Sequence, residues 1–228
     1  MSSHRTAEES KQHYIEQLGD ELGSVFYALY NELVWQHVKW NEYEELFGTK
    51  QSRIELINRV SPLFFKIAQD ALWDDSLLNI ARITDPPKSA GKHNLTIQKL
   101  PDLVEEELKD KVLSSVNKAI EKSSFCRDRR NRKLAHKDLS LALKDTAKPL
   151  EPASRKNVGD ALSSIATVLN TVVNHYMDTT IFFDIPSSPG GVNSLLYVLD
   201  DGLKAEEARR QRLKDGKFRE EDYGPRNL

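Results

Sequence analysis

The sequence has one cysteine, no long apolar run and almost no net charge, and each absence excludes a class of function. Cys126 cannot form a disulfide within its own chain or build a cysteine-based zinc cluster, which fits a reducing compartment. No apolar run approaches the ~20 residues that cross a bilayer, and the polar first residues do not resemble a signal peptide. With 33 basic and 35 acidic residues, the net charge of −2 creates no general attraction to nucleic acid. We therefore expect a cytoplasmic protein without a membrane interaction, in which any polyanion site is a local patch.

Helical periodicity runs through most of the sequence. Apolar residues recur at spacings of three, four or seven residues, the pattern of helices that each bury one face. The pattern predicts helices over about residues 6–18, 22–47, 52–84, 102–134, 154–178 and 193–213. No alternating pattern in the sequence is long enough to build a sheet, so we expect an all-α fold.

The segments between and after these helices are less regular. Asp85-Pro86-Pro87 should end the third helix, because proline disfavours a helical conformation in the preceding residue. A helical turn is expected over 95–100, Pro101 should open the next helix, and 181–183 is a short strand-like apolar run. The charged, glycine-containing sequence from Lys214 onward predicts a loose tail. The predicted organisation is a domain over 1–180 and a C-terminal helical extension over 181–228.

The most unusual stretch lies at the end of the helix predicted over 102–134. Residues 127–133 contain five cations, and His136 follows them. One interpretation is a solvated helix end, where cations oppose the C-terminal dipole. Arg130, however, continues the apolar stripe through Ala119 and Cys126, so its guanidinium needs a partner or a polyanion. Imidazole transfers protons near neutral pH and guanidinium binds phosphate as charge develops, which together suit RNA cleavage without a metal.

The sequence leaves open which arginine meets His136. Spacings of four and seven residues place Arg132 and Arg129 on the helical face of His136, whereas Arg130 lies about 120° away on an ideal helix. Arg130 would converge with His136 if the helix loosens before Ala135, or if two chains meet there. Arg130 is the first choice because it is followed by the polar Asn131.

Arg130-Asn131, four further residues and His136 resemble the Arg-(polar)-x-x-x-x-His signature of the HEPN superfamily, the higher eukaryotes and prokaryotes nucleotide-binding domains. Further segments extend the resemblance over most of residues 20–180, to the branch related to the abortive-infection U proteins of bacteria. These segments are Leu29–Leu33 with Trp40, Asp74–Leu78 with Arg82–Pro86, Asn94–Ile97 and Arg130–Asp138.

The resemblance implies an up-down bundle of four to five main helices that forms a homodimer, with the motif helices of two protomers facing each other. It also implies a metal-independent endoribonuclease without a cofactor, a toxin of phage defence that leaves a 2′,3′-cyclic phosphate on RNA. Arg130 would then hold the scissile phosphate, His136 would transfer a proton or bind the transition state, and Asn131 would orient the histidine or the backbone. The alternative is a non-catalytic HEPN-like module that binds a nucleotide, RNA or a protein partner, and an antitoxin stays open as a partner.

Arg129, Arg132, Asp138, Asp75 and Arg82 are the remaining supporting candidates. Asp75 and Arg82 interrupt the predicted apolar stripe of the 52–84 helix one heptad apart. They either form a second polar wall of the cleft that contacts Arg130 or RNA, or make a structural salt bridge, which is the favoured interpretation.

The other histidines and the tryptophans are expected to be structural. His37, His93 and His175 each stand alone, and no His-x-x-x-His or Glu-x-x-His pair marks a metal site in the sequence. Trp35, Trp40 and Trp73 occur at helical spacing, which is typical of core or dimer packing rather than base stacking.

Overall fold

The computed structural model of the chain describes residues 5–89, 91–135, 138–143, 148–184, 190–217 and 219–222. Most of these residues are helical, and the β pairing among them joins two strands of two residues each, so the predicted all-α fold is confirmed. None of the helices in the described residues has the length and apolar character needed to cross a membrane.

The elements are given in chain order. The helices are α1 (Ala7–Leu18), α2 (Asp20–Phe47), α3 (Gln51–Val60), α4 (Pro62–Ile83), α5 (Glu106–Lys122), α6 (Ser124–Arg129), α7 (Leu139–Ala142), α8 (Arg155–Met177) and α9 (Val192–Lys214). The strands are β1 (Lys88–Ser89) and β2 (Lys92–His93). Short 3₁₀ turns cover Ile97–Asp102 and Glu220–Asp222, and a π-helical turn covers Arg130–Leu134.

Local sequence signals explain where α1 and α8 begin and end. Thr6 and Ser154 are N-caps whose hydroxyls accept a backbone N–H three residues on, and the third residue of each helix returns the bond. Gly19 ends α1 with a φ of 84°, and Asp178 ends α8 in the left-handed conformation with a φ of 47°.

The chain divides into two compact units. Unit 1 comprises residues 1–40 and 71–185, and in it α5 packs against α8. Its core includes large apolar side chains of four helices that are almost completely buried, among them Phe26, Leu29, Leu33, Leu77, Ile80, Val112, Leu162, Ile165 and Leu169. All the site residues discussed below belong to unit 1.

Unit 2 comprises residues 41–70 and 186–228, and in it α3 packs against α9. Arg53 Nη2 donates to Asn193 Oδ1 at 2.8 Å, which ties the start of α3 to the start of α9. Within the predicted loose tail, Asp222 is instead buried and accepts from Arg212 Nη2 at 2.5 Å. The predicted domain boundary after residue 180 stays a prediction.

The helix predicted over 52–84 is in fact two helices. Ser61 has an extended φ of −159°, and α4 begins at Pro62, whose missing N–H costs nothing in a first helical turn. The helical spacing of its apolar residues predicts a buried stripe that includes Phe64, Ala68, Ala71 and Leu78. The buried face is displaced from this stripe, because Phe65 and Leu77 are buried while Phe64 is 61% exposed.

Three further segments differ from the sequence-based expectation. Pro101 lies inside the 3₁₀ turn and α5 begins later, at Glu106. The helix predicted over 102–134 is interrupted at Ser123. Residues 181–183 are irregular rather than a strand, with Phe183 buried and Phe182 84% exposed.

Candidate functional site

The backbone loosens at the basic segment that the sequence singles out. After Ser123, α6 leads into the π-helical turn over Arg130–Leu134, in which the Ala135 N–H donates to the Arg130 carbonyl at 2.8 Å. A π turn widens the helix, and such turns are frequent at functional sites. His136 lies outside the described residues, so its convergence with Arg130 stays a prediction.

Two arginines of this segment face the end of α4, where they meet one carboxylate. Arg130 Nη1 donates to Asp85 Oδ2, and Arg130 Nε donates to Asn131 Oδ1 at 3.0 Å. Arg127 Nη2 donates to the Thr84 carbonyl at 2.7 Å, and Arg127 Nε lies 3.8 Å from Asp85 Oδ1. Two guanidinium groups around a single carboxylate leave this cluster with a net positive charge. We call Arg127, Arg130 and Asp85 the arginine cluster.

The two alternative arginines turn to a different part of unit 1. Arg129 Nη2 donates to the Glu151 carbonyl at 3.1 Å, and Arg132 donates to the Lys148 carbonyl. Arg132 also forms an ion pair with Asp138 at 3.6 Å. These bonds attach the segment that precedes α8 to the motif, so Arg129 and Arg132 have structural partners there.

Asp138 has a structural position as well. Its side chain caps α7 by accepting the Leu141 N–H at 3.1 Å. This bond, together with Arg132, lowers the pKa of Asp138 below its usual value. The carboxylate is therefore engaged with the backbone and with Arg132.

A cleft of about 210 Å³ opens beside Asp85. Arg82, Ile83 and Asp85 of the α4 end form one side, Glu32 of α2 contributes a second, and His93, Asn94 and Leu95 close it. Arg82 is exposed and donates from Nη1 to Asn79 Oδ1 at 3.3 Å. Because Asp85 borders the cleft and also binds Arg130, the arginine cluster lies at its edge.

Arg130 binds both Asp85 and Asn131, and Arg82 lines the same cleft as Asp85, but the structure places Asp75 elsewhere. Asp75 Oδ2 accepts from Lys39 Nζ at 2.5 Å, in a pair that joins α4 to α2. Lys133 lies 3.9 Å from Asp74. Asp75 thus has a helix-to-helix partner and no contact with Arg82 or Arg130 among the described residues.

Side chains that follow α4 fix the wall of the cleft to the helix end. The Asn94 N–H donates to the Pro87 carbonyl at 2.9 Å, and Asn94 Nδ2 donates to the Pro86 carbonyl at 2.8 Å. The Thr96 hydroxyl lies 2.9 Å from the Ile83 carbonyl and 2.6 Å from that of Asp85. Carbonyls at a helix C-terminus have no partner within the helix, so these bonds stabilise the end of α4.

The sequence pattern alone predicts only a polar connecting segment over 89–94. The sequence does contain one indication of order, because Asn94 and Thr96 follow two prolines and such short polar side chains form hydrogen bonds with nearby backbone groups. That signal predicts an ordered turn, but it does not predict which carbonyls accept.

Comparison with protein families identifies the chain. A family model described as HEPN_AbiU2 (AbiU2) matches residues 19–189, about three quarters of the 228 residues. The chain belongs to the HEPN_AbiU2 family. The predicted HEPN resemblance is therefore confirmed, and the chain is a HEPN-type abortive-infection module. No curated protein and no solved structure matches it significantly.

The HEPN_AbiU2 match contains the motif segment, the arginine cluster and the cleft, whereas α1 and α9 lie outside it. Within the matched region, burial raises the pKa of the Cys126 thiol to about 12. This thiol is therefore protonated at neutral pH and unsuited to act as a nucleophile.

The other histidines of the HEPN_AbiU2 region differ in their surroundings. His37 is buried near Asp184, and burial lowers its pKa. His175 lies with Glu105 and Glu107, and one ligand atom of each residue lies within 4.8 Å of the others. Among the described residues, this exposed group is the one that could hold a metal ion. Its two glutamates lie at the start of α5, whereas the motif lies beyond the end of that helix.

Proposed function

We propose that this HEPN_AbiU2 protein is a metal-independent endoribonuclease, with Arg130 and His136 as its catalytic residues. The observation that carries the proposal is the arginine cluster at the edge of a cleft. Arg130 is 21% exposed and Arg127 is 30% exposed, so both guanidinium groups are partly desolvated and still accessible. A partly desolvated cation binds a phosphate more strongly than a fully solvated one does.

The chemistry needs no metal because the nucleophile belongs to the RNA. The ribose 2′-oxygen forms a bond to phosphorus while the bond from phosphorus to the 5′-oxygen breaks, which yields a 2′,3′-cyclic phosphate and a 5′-hydroxyl. His136 transfers one of the two protons that this exchange moves. Arg130 stabilises the charge that develops on the phosphate oxygens.

The contacts favour Arg130 over the neighbouring arginines for this role. Arg129 and Arg132 bind backbone carbonyls of residues 148–151. Removing either is expected to detach that segment rather than to affect a phosphate directly. The Arg130 guanidinium instead donates hydrogen bonds to two side chains, those of Asp85 and Asn131. An incoming phosphate can replace such contacts without breaking backbone structure.

The proposal includes a homodimer that acts as a toxin in phage defence. Leu139 and Leu143 follow the motif in and just after α7, and they are 71% and 68% exposed. Exposed leucines beside a charged site are typical of an interaction surface. A second copy of the chain at this surface would bring two motif segments together.

Cleavage of RNA in the presence of EDTA tests the proposal. Arg130→Ala should lower the cleavage rate by about 10²–10³, because one preorganised donor to the reacting phosphate is lost. Arg210→Ala is the control, since Arg210 is 69% exposed on α9 and pairs with Glu206. The control should cleave at the wild-type rate. Salt-dependent RNA binding by a wild-type protein that never cleaves would instead support a non-catalytic HEPN module.

A further inference from the structure

We propose that the cleft beside Asp85 receives the RNA strand, and that His93 is a second proton-transfer group within it. The inference rests on the proposed ribonuclease function and adds a residue outside the Arg130 to His136 motif. It replaces the interpretation of His93 as a structural histidine. His93 is exposed and lines the cleft, so a strand lying there reaches its imidazole.

His93 and Arg130 are connected through Asp85. Asp85 borders the same cleft as His93, and its carboxylate binds the Arg130 guanidinium. A phosphate that contacts Arg130 at the edge of this cleft therefore lies beside the wall that carries His93. Among the described residues, no other histidine lines this cleft.

His93 lies on a wall of the cleft that hydrogen bonds hold in place. β2 pairs antiparallel with β1, so that His93 lies opposite Lys88. The next residue, Asn94, binds Pro86, Pro87 and Ser89, and the Thr96 hydroxyl lies within hydrogen-bond distance of the Asp85 carbonyl. A hairpin of two-residue strands is not stable alone. These bonds hold it, and a catalytic group must be held in this way to act with a fixed geometry.

Charged side chains lie in and around the cleft. The groups that face it are Glu32 of α2 and Arg82 and Asp85 at the end of α4, and the hairpin adds exposed Lys88 and Lys92. Arg130 lies next to these groups because its guanidinium binds the Asp85 carboxylate. The lining itself has one arginine against two carboxylates, and the cations of Lys88, Lys92 and Arg130 beside it make the surroundings of the cleft positive, although the whole chain has a net charge of −2. Such a local positive surface attracts a phosphate backbone.

The chemistry moves a second proton in addition to the one that His136 transfers. The 2′-hydroxyl loses a proton as its oxygen bonds to phosphorus, and the departing 5′-oxygen gains a proton as its bond to phosphorus breaks. These protons move on opposite sides of the phosphorus, so two positioned groups serve the reaction better than one. His93 and His136 together supply both transfers, one as base and the other as acid, without a metal.

The test is the pH dependence of kcat/KM for RNA cleavage in EDTA, from pH 5 to 9. The wild-type profile should be bell-shaped, because one group must be deprotonated and the other protonated. His93→Gln should cleave about 10²–10⁴-fold more slowly and lose one limb of the bell. His175→Gln is the matched control, an exposed histidine near the end of α8, and should keep both the rate and the profile.

The remaining outcomes separate this inference from the proposed function. A His93→Gln variant that keeps both limbs, whatever its rate, overturns the inference, because a binding or structural role lowers the profile without changing its shape. If that variant cleaves normally while His136→Ala is inactive, only this inference fails. If the wild-type chain does not cleave RNA, both fail. Equal melting temperatures of wild type and variant show that the fold is retained.

Discussion

Asp85 supports a quantitative prediction, because its carboxylate is the counter-charge of the arginine cluster. Asp85→Asn keeps the shape of the side chain but removes the charge between Arg127 and Arg130. The Asp85 side chain is 16% exposed, and those of Arg130 and Arg127 are 21% and 30% exposed. Removing one member of a fully buried pair costs about 3–5 kcal/mol, and an exposed pair contributes about 0–1 kcal/mol. For this intermediate burial we expect a loss of about 2 kcal/mol in the free energy of unfolding.

Urea denaturation measures that loss, with Asp75→Asn as the matched control. Asp75 lies in the same helix region, but its carboxylate is 42% exposed and meets one lysine, Lys39. The control should cost about 1 kcal/mol or less. Both variants should keep the wild-type dependence of the free energy on urea, so that a shift in midpoint reports stability alone. If Asp85→Asn costs no more than Asp75→Asn, the arginine cluster does not depend on Asp85 as described.

Three further predictions concern packing, pH and the C-terminal segment. Gly23→Ala should lower the free energy of unfolding in thermal melts by about 1–3 kcal/mol, because the added Cβ would lie 2.6 Å from the Ile15 Cα and from the Tyr14 carbonyl oxygen of α1. Gly159→Ala is the control, since its added Cβ would meet no described atom within 4 Å, and it should be neutral or slightly stabilising. Burial lowers the pKa of His37, so the unfolded chain binds a proton at this imidazole more readily than the folded chain does. The free energy of unfolding should therefore fall as the pH drops below about 6.5, and His37→Gln should flatten this part of a plot of urea midpoint against pH. Arg212 and the Arg219 N–H lower the pKa of Asp222 to about 2. The contribution of this carboxylate to the stability of the fold should therefore be complete above about pH 4 and disappear as the pH falls toward 2. Asp222→Asn should release the turn over Glu220–Asp222 at neutral pH, which limited proteolysis would detect as faster cleavage after Lys217 or Arg219; unchanged cleavage would contradict the described anchoring.

The strongly amphipathic helices were predictable from the sequence. The α5 stripe from Leu108 to Ala119, continued at Ser123 and Cys126, is buried as its spacing predicts. The same stripe places Arg130 facing inward, where its side chain is partly buried. A single regular period over many residues determines which face is buried, so this prediction needed no long-range information.

The break at Ser61 and the buried face of α4 were not predictable in the same way. Phe64 and Phe65 are adjacent and equally apolar, and only packing decides that Phe65 is the buried one. Pro62 is compatible both with a helix start and with a kink in a longer helix. Periodicity alone therefore gave one long helix with its stripe on the wrong face.

The cleft depends on contacts between segments that are separated in the sequence. The bond from Arg130 to Asp85 joins residues 45 positions apart, and Glu32 reaches the cleft from α2. The spacing of residues within one helix does not show which distant segments come into contact. The sequence therefore left Arg129, Arg130 and Arg132 as alternative partners of His136. Their hydrogen-bond partners differ, because Arg129 and Arg132 bind the segment before α8 while Arg130 binds at the end of α4.

The central claim is that the motif cleaves RNA without a metal, and the ends of the RNA products test it most directly. Wild type and His136→Ala are incubated with RNA in EDTA, and the products are analysed by mass spectrometry. We expect the wild-type protein to leave 2′,3′-cyclic phosphate and 5′-hydroxyl ends, and His136→Ala to bind RNA with similar affinity but leave it intact. Cleavage by His136→Ala at the wild-type rate, or wild-type products with 5′-phosphate ends, would contradict the assignment.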